Sequence, residues 1–239
     1  MTERLSQKSV KLILEAAFLA NKLGVEGIIL DEVGIRGYND DEGIIVASIK
    51  DHDFEFTGLG LSRLQSLMQK STLLKDLDAV TVDMVSKENK PDVIEKLAFD
   101  AGKMNFEFRC ALPQAIRDIP RTDLNRTPLF YFDITQEDVS NISKSMSAMR
   151  CKHMTIQGNG SDVRFRFSDE AGDILNFGID SDLESLGEND TVSLTINLKK
   201  MLPILKLAVQ DGNFRLNILK SNILYIVVGN MDVFVMPEV

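Results

Sequence analysis

The sequence predicts an α+β fold of two similar domains, each a duplicated unit of one strand, one helix and three more strands in antiparallel sheets. Three observations carry this. The strand-helix-three-strand order recurs along the 239 residues, and a repeated unit weighs more than any single element. Leu112–Pro128 holds three of the six prolines and has no helical or alternating pattern, as expected where Pro removes a donor and restricts its neighbour. One helix for about four strands puts the helices on one face of antiparallel sheets. The domains are then 1–111 and 129–239, joined by a connector over 112–128.

In the first half, Lys8–Lys22 reads as a helix with Val10, Ile13, Leu14, Ala17 and Phe18 inward. Val25–Leu30, Gly34–Tyr38 and Gly43–Ile49 read as strands around an Asn39–Gly43 turn. Asp53–Thr57 is expected as a strand and Leu61–Lys70 as a helix. Ala79–Val85, Val93–Phe99 and Met104–Cys110 complete the unit. The opening strand of this half is the weakest signal of the four.

The second half is clearer. Leu129–Ile134 is a short strand. Thr135-Gln-Glu-Asp starts a helix with an N-cap hydroxyl and acids in the first turn. Val139, Ile142, Met146 and Met149 form its apolar face. Met154–Gln157, Val163–Phe167 and Ile174–Ile179 are strands, broken by Gly158-Asn159-Gly160 and Ala171-Gly172-Asp173. Val163, Phe165 and Phe167 alternate with Arg164 and Arg166, which gives that strand one wet face. Then Val192–Asn197 is a strand and Lys199–Gln210 a helix. Phe214–Leu219, Ile223–Val228 and Val233–Met236 are the last three strands. A longer acidic loop falls at Asp180–Asp190.

Composition limits function. Hydrophobic residues are 44% and charged residues 26%, as in soluble globular chains. No apolar run approaches the ~18 residues that span a membrane, and no signal peptide is visible. The expected compartment is the cytosol or its equivalent, not a secretory one. Cys110, Cys151, His52 and His153 are scattered, which suits neither a disulfide framework nor a zinc site. There is no P-loop, dinucleotide turn or nucleophile elbow. Gly58-Leu-Gly-Leu-Ser reads as a strand-to-helix turn, and Asp31-Glu32, Asp40-Asp41-Glu42 and Asp51/Asp53 as turn acids. No catalytic residue, metal site or cofactor is expected.

The net charge of −9 argues at face value against a nucleic-acid binder. Its distribution argues otherwise. Segments 4–22, 61–75, 135–152 and 199–210 carry +3, +3, +1 and +3, so these 64 residues hold +10 and the other 175 hold −19. Lysines near one helix C-terminus simply suit the macrodipole. Positive charge on four helices of four, in an acidic chain, points to a basic surface built from helices. Its candidate residues are Lys8, Lys11, Arg63, Lys70, Lys144, Arg150, Lys199 and Lys206.

Four such units, two equal halves and basic helices in an acidic body together resemble the DNA sliding clamps. The nearest type is the two-domain clamp, that of proliferating cell nuclear antigen and the T4-like phages. Leu12-Ile-Leu-Glu-Ala-Ala-Phe-Leu-Ala-Asn, Gly34-Ile-Arg-Gly-Tyr-Asn-Asp-Asp-Glu-Gly and Ile44-Ile-Val-Ala-Ser-Ile look like the family's opening. Phe54-Glu-Phe, Leu61-Ser-Arg-Leu-Gln-Ser-Leu-Met and the ending Val233-Phe-Val-Met-Pro-Glu-Val continue the likeness.

The resemblance implies a ring with sheets outside and helices lining a pore around duplex DNA. Two domains per chain imply a homotrimer, closed head to tail. By position, Ala79–Val85 and Asp173–Ile179 are the candidate edge strands. The implied activity is that of a polymerase processivity factor, with no catalysis of its own, non-specific topological contact with DNA, and a polymerase and clamp loader as partners. Partner peptides would seat on Tyr38, Ile44, Val46, connector residues Leu112, Ile116, Ile119 and Pro120, and tail residues Met236 and Pro237. Packing of the connector onto its own sheet is the competing account of Ile116 and Ile119. A subunit of a heteromeric clamp, or a repeat-built α+β binding protein or enzyme unrelated to DNA, are the other readings.

Overall fold

A computed structural model of the chain describes residues 2–48, 58–74, 79–119, 126–159, 162–179 and 191–238. The chain divides into two compact units, Met1–Asp41 with Ile45–Arg121, and Glu42–Ile44 with Thr122–Val239.

In the first unit the elements are β1 (Thr2–Arg4), α1 (Gln7–Lys22), β2 (Gly27–Asp31), β3 (Gly34–Asn39), β4 (Ile44–Ser48), β5 (Leu59–Ser62), α2 (Leu64–Ser71), β6 (Thr81–Lys87), β7 (Lys90–Asp100) and β8 (Asn105–Arg109). A short 3-10 turn follows at Pro113–Ala115. In the second unit come β9 (Pro128–Ile134), α3 (Gln136–Met149), β10 (His153–Asn159), β11 (Asp162–Ser168), β12 (Ile174–Ile179), β13 (Thr191–Asn197), α4 (Leu198–Ala208), β14 (Phe214–Leu219), β15 (Leu224–Val228) and β16 (Met231–Val235).

Each strand-helix-three-strand repeat gives its opening strand away. β1 pairs with β6, placing Thr2 opposite Val85 and Arg4 opposite Asp83, so the first sheet runs β1-β6-β7-β8. β5 pairs in turn with β2, Leu61 opposite Ile28, in the order β5-β2-β3-β4. The second unit repeats the exchange. β9 joins β14, Phe132 opposite Leu216, and β13 joins β10, Ile196 opposite Met154. All of these pairings are antiparallel.

The strands follow the residue pattern. Phe165 and Phe167 of β11 are fully buried, while Arg164 and Arg166 between them are exposed. Phe132 of β9 meets Phe165 at 5.8 Å between ring centres, and Phe165 meets Phe177 edge-on at 5.3 Å. This run of rings joins the two sheets of the second unit into one core. In the first unit Ile28, Leu30, Ile35, Leu97, Phe99 and Phe108 are buried in the core.

Four expectations are corrected. Leu61–Lys70 is not all helix: Leu59–Ser62 is a strand, and α2 starts after Arg63, whose left-handed backbone (φ 55) marks the boundary. Ala79–Val85 is not an edge, because β1 covers one side of β6 and β7 the other. The end strands of that sheet are β1 and β8, while β12 does lie at the end of its own sheet. Phe18 does not face inward; it is 42% exposed. Gly158 and Asn159 are not a turn but continue β10, opposite Val163 and Asp162. The expected strand Asp53–Thr57, the loop Asp180–Asp190, Lys75 and Pro120 lie outside the described residues.

Candidate nucleic-acid interface and partner groove

The helices pack in pairs within each unit, α1 with α2 and α3 with α4. In α1, Ser6 caps the first turn by accepting from the Ser9 N–H at 3.0 Å. Its buried face holds Val10, Ile13, Leu14 and Ala17, which leaves Lys8, Lys11, Phe18 and Lys22 exposed. In α3, Thr135 and Asp138 form a reciprocal capping box. Lys144 is exposed, and Arg150 closes the helix in the left-handed region at φ 49. In α4, Asn197 Oδ1 accepts from the Lys199 N–H at 3.0 Å. Lys199 and Lys206 are exposed. Lys206 lines an open cavity of about 480 Å³ with Gln136, Ser140 and Ser143 of α3 and Gln210 just past the end of α4.

The two cations of α2 have work inside the unit. Arg63 sits 5.1 Å over the Phe108 ring and donates from Nη2 to the Arg109 carbonyl at 3.2 Å. Lys70 Nζ is 5.9 Å from the Phe106 ring. Both brace β8. Lys200, counted in the basic segment, is 13% exposed and paired to Glu238 at 3.0 Å, so it adds little to an open surface. What remains, apart from the Arg150 guanidinium, is a set of ammonium groups on flexible stems, suited to loose phosphate contact rather than base reading.

The stretch after β8 is fastened to the first unit at four places. Gly60 and Ala111 exchange both backbone hydrogen bonds, at 2.9 and 2.8 Å. Ile116 lies over Gly60 and Gly27, where a side chain on either glycine would meet it. Arg36 bridges Asp31 at 2.7 Å and Asp118 at 2.8 Å. Arg117 pairs with Asp40 at 2.5 Å and lies 5.9 Å from the Tyr38 ring. Burial pushes the Asp118 carboxyl up, but Arg36 and the Ile119 N–H pull it below its ordinary value.

This fastening frames a cavity of about 530 Å³, lined by Tyr38, Asp40, Asp41, Arg63, Ile116 and Arg117 among others. Burial, and then the neighbouring Asp40, raise the Tyr38 phenol above its ordinary value. Of the expected pocket residues, Tyr38 and Ile116 meet here. Leu112 is 52% exposed, and Ile119 is half-buried. Ile44 and Val46 are corrected: at 2% and 0% exposure they are core residues and present no surface. Met236 and Pro237 are half-buried in the second unit, where the Met236 N–H donates to the Gly43 carbonyl at 2.9 Å.

The residues that do the fastening escape a reading of the sequence. Arg36 and Asp118 are 82 positions apart, and no local pattern links them. Arg126 pairs with Asp232, which also accepts from the Tyr225 hydroxyl at 2.8 Å. Burial first, and then Asp232, raise that phenol above its ordinary value. The glycines at 58 and 60 and the apolar Ile116 and Ile119 of the connector are the signals visible in the sequence.

No protein-family model matches the sequence, nor does any curated protein. Solved structures do match. An A. fulgidus PCNA bound to the C-terminal region of FEN-1 superimposes with a TM-score of 0.66 at 14% identity, covering 100% of this chain and 98% of that one. The PCNA2-PCNA3 complex of Sulfolobus tokodaii gives 0.63 at 12% identity, over 100% and 99%. The DNA polymerase III subunit beta of Pseudomonas aeruginosa gives 0.65 at 14%, over 99% of this chain and 64% of that one. The superposition runs along the whole length of this chain, and the chain has the fold of the DNA sliding clamps.

Proposed function

We propose that this chain is a DNA polymerase processivity factor, a ring that encircles duplex DNA and tethers the replicative polymerase while sliding. The observation that supports it is the exposure of Lys8, Lys11, Lys144, Lys199 and Lys206 on three of the four described helices of a chain with net charge −9. Acidic surfaces elsewhere would keep DNA off the wrong face. Residues 1–111 and 129–239 serve as the clamp domains and 112–128 as their connector. Head-to-tail pairing of β8 with β12 replaces the 79–85 pairing and would close a homotrimer of about 80 kDa. The cavity at Tyr38 and Ile116 is the seat for a polymerase or loader peptide. The protein has no catalysis of its own and works in the cytoplasm or nucleoid.

The test is topological. The loaded protein stays on nicked circular DNA and leaves when the circle is linearised. Equal retention on both forms would end this reading. The likeness to a complex of two different chains favours one second reading, a subunit of a mixed ring. A stable monomer at micromolar concentration that assembles only with a second chain would select it.

A further inference from the structure

The exposed face of α1 carries an aromatic residue that phosphate binding does not explain. Positions 8, 11, 15, 18 and 22 follow one another at steps of three and four, so they form a single stripe. Four of them are Lys8, Lys11, Glu15 and Lys22. The fifth is Phe18, with 42% of its surface in solvent. Among the described residues it is the large hydrophobic that stands exposed on an α-helix; Val33, Leu73, Met104, Leu112, Leu129, Ile174 and Val227 lie in strands, turns or loops. The Lys22 ammonium sits 5.6 Å from its ring centre, on a face of the ring that draws cations. Along the axis, Lys11 stands roughly 10 Å before it and Lys22 roughly 6 Å after, at 1.5 Å per residue.

We propose that Phe18, with Lys11 and Lys22, is a stacking site for an unpaired nucleotide. This builds on the reading of the helix faces as facing DNA. A ring lying on a helix surface cannot reach the face of a base within a duplex, since both faces are covered by neighbouring pairs. A base at a gap, a frayed end or a single-stranded template has a free face. An aromatic ring flanked by cations is the arrangement that holds such strands: the Lys22 ammonium leaves the ring for one phosphate, the base takes its place on the ring, and Lys11 takes the phosphate on the other side. Stacking of this kind tolerates every base, so it does not create sequence preference. The exposed positions of α3 and α4 are Gln, Glu, Ser, Lys, Ala and Pro, and offer no such ring. A strand of this sort would therefore be held at α1 and merely guided elsewhere.

The experiment uses the full chain and two fluorescent probes, an oligo-dT strand and a blunt duplex of equal length, at one fixed salt concentration. Phe18→Ala should weaken oligo-dT binding about 10-fold, with duplex binding changed less than about 2-fold. Phe18→Trp should keep the oligo-dT affinity, and its emission should be quenched on binding. Lys22→Gln should weaken both probes. Equal loss on both probes, or no loss on either, would overturn the proposal. So would a Phe18→Ala effect on solution mass instead of on oligo-dT, because the ring would then cover another protein surface. Retention on circles is scored separately. A clamp that slides but ignores Phe18 defeats this inference alone, and a chain that stacks oligo-dT but never stays on circles defeats the clamp reading alone.

Discussion

The Cδ1 of Ile116 lies 2.6 Å from where a Cβ on Gly60 would stand. The same missing Cβ would sit 3.1 Å from the Ala111 carbonyl oxygen and 3.2 Å from that of Leu112. Glycine is there for space, since the backbone of β5 and the chain after β8 come together over it. Gly60→Ala should therefore lift that chain off the sheet. The expected cost is about 1–3 kcal/mol, read by chemical denaturation, with faster protease cleavage near Ala111–Ile119. Ile116→Ala added to Gly60→Ala should recover only part, because the two carbonyl oxygens still crowd the new methyl group.

The Arg36–Asp118 bridge gives the same chain a dependence on pH. Asp118 titrates below its ordinary value in the folded protein. A carboxylate lowered in this way stabilises above the unfolded value of about 4 and stops doing so as pH falls through the folded one. Hydrogen exchange at Ala115–Ile119, corrected for intrinsic rate, should rise through that acid window. Asp118→Asn should show the raised exchange already at neutral pH and no acid step.

Arg126 and Asp232 are both largely buried, with side chains 21% and 13% exposed. Arg126→Ala leaves the Asp232 carboxylate with only the Tyr225 hydroxyl, and should cost about 2–4 kcal/mol. Tyr225→Phe removes one hydrogen bond and should cost about 1 kcal/mol. Thermal melts of the two variants check the order, and Tyr225→Phe costing more than Arg126→Ala would contradict it.

Lys8, Lys144, Lys199 and Lys206 are exposed on their helices. Changing all four to Gln should leave the melting temperature nearly unchanged. The slope of log affinity for duplex against log salt should become shallower by about 0.9 for each phosphate that is no longer neutralised. Arg63→Ala should behave differently, loosening exchange protection in β8 because the guanidinium no longer covers the Phe108 ring.

Much of this fold is legible because its patterns are local. The alternation of Val163, Phe165 and Phe167 marks a strand with one buried face, and Thr135 with Asp138 announces α3. What stays hidden depends on partners far away. β1 is three exposed residues with no apolar signal, and only its place beside β6 makes it a strand. That is why Ala79–Val85 looks like an edge. Leu61 reads as helical because its apolar spacing continues into α2, while the left-handed turn at Arg63 has no sequence signature. The resemblance alone places Ile44 and Val46 in the pocket, yet both are core, since β4 is buried on both faces. Phe18 fits the apolar period of α1 and still points to solvent.

The exchange of opening strands also sets an order of events during synthesis. Thr2–Arg4 finds its partners at Asp83–Val85, and Phe130–Ile134 waits for Phe214–Ile218. Neither strand can be locked until some 80 later residues have been made, and pairings of such long range slow folding. A ribosome must release nearly a whole unit before its first strand has anywhere to go. Each unit is then expected to fold late and all at once, with the earlier helices exposed to chaperones in the interval.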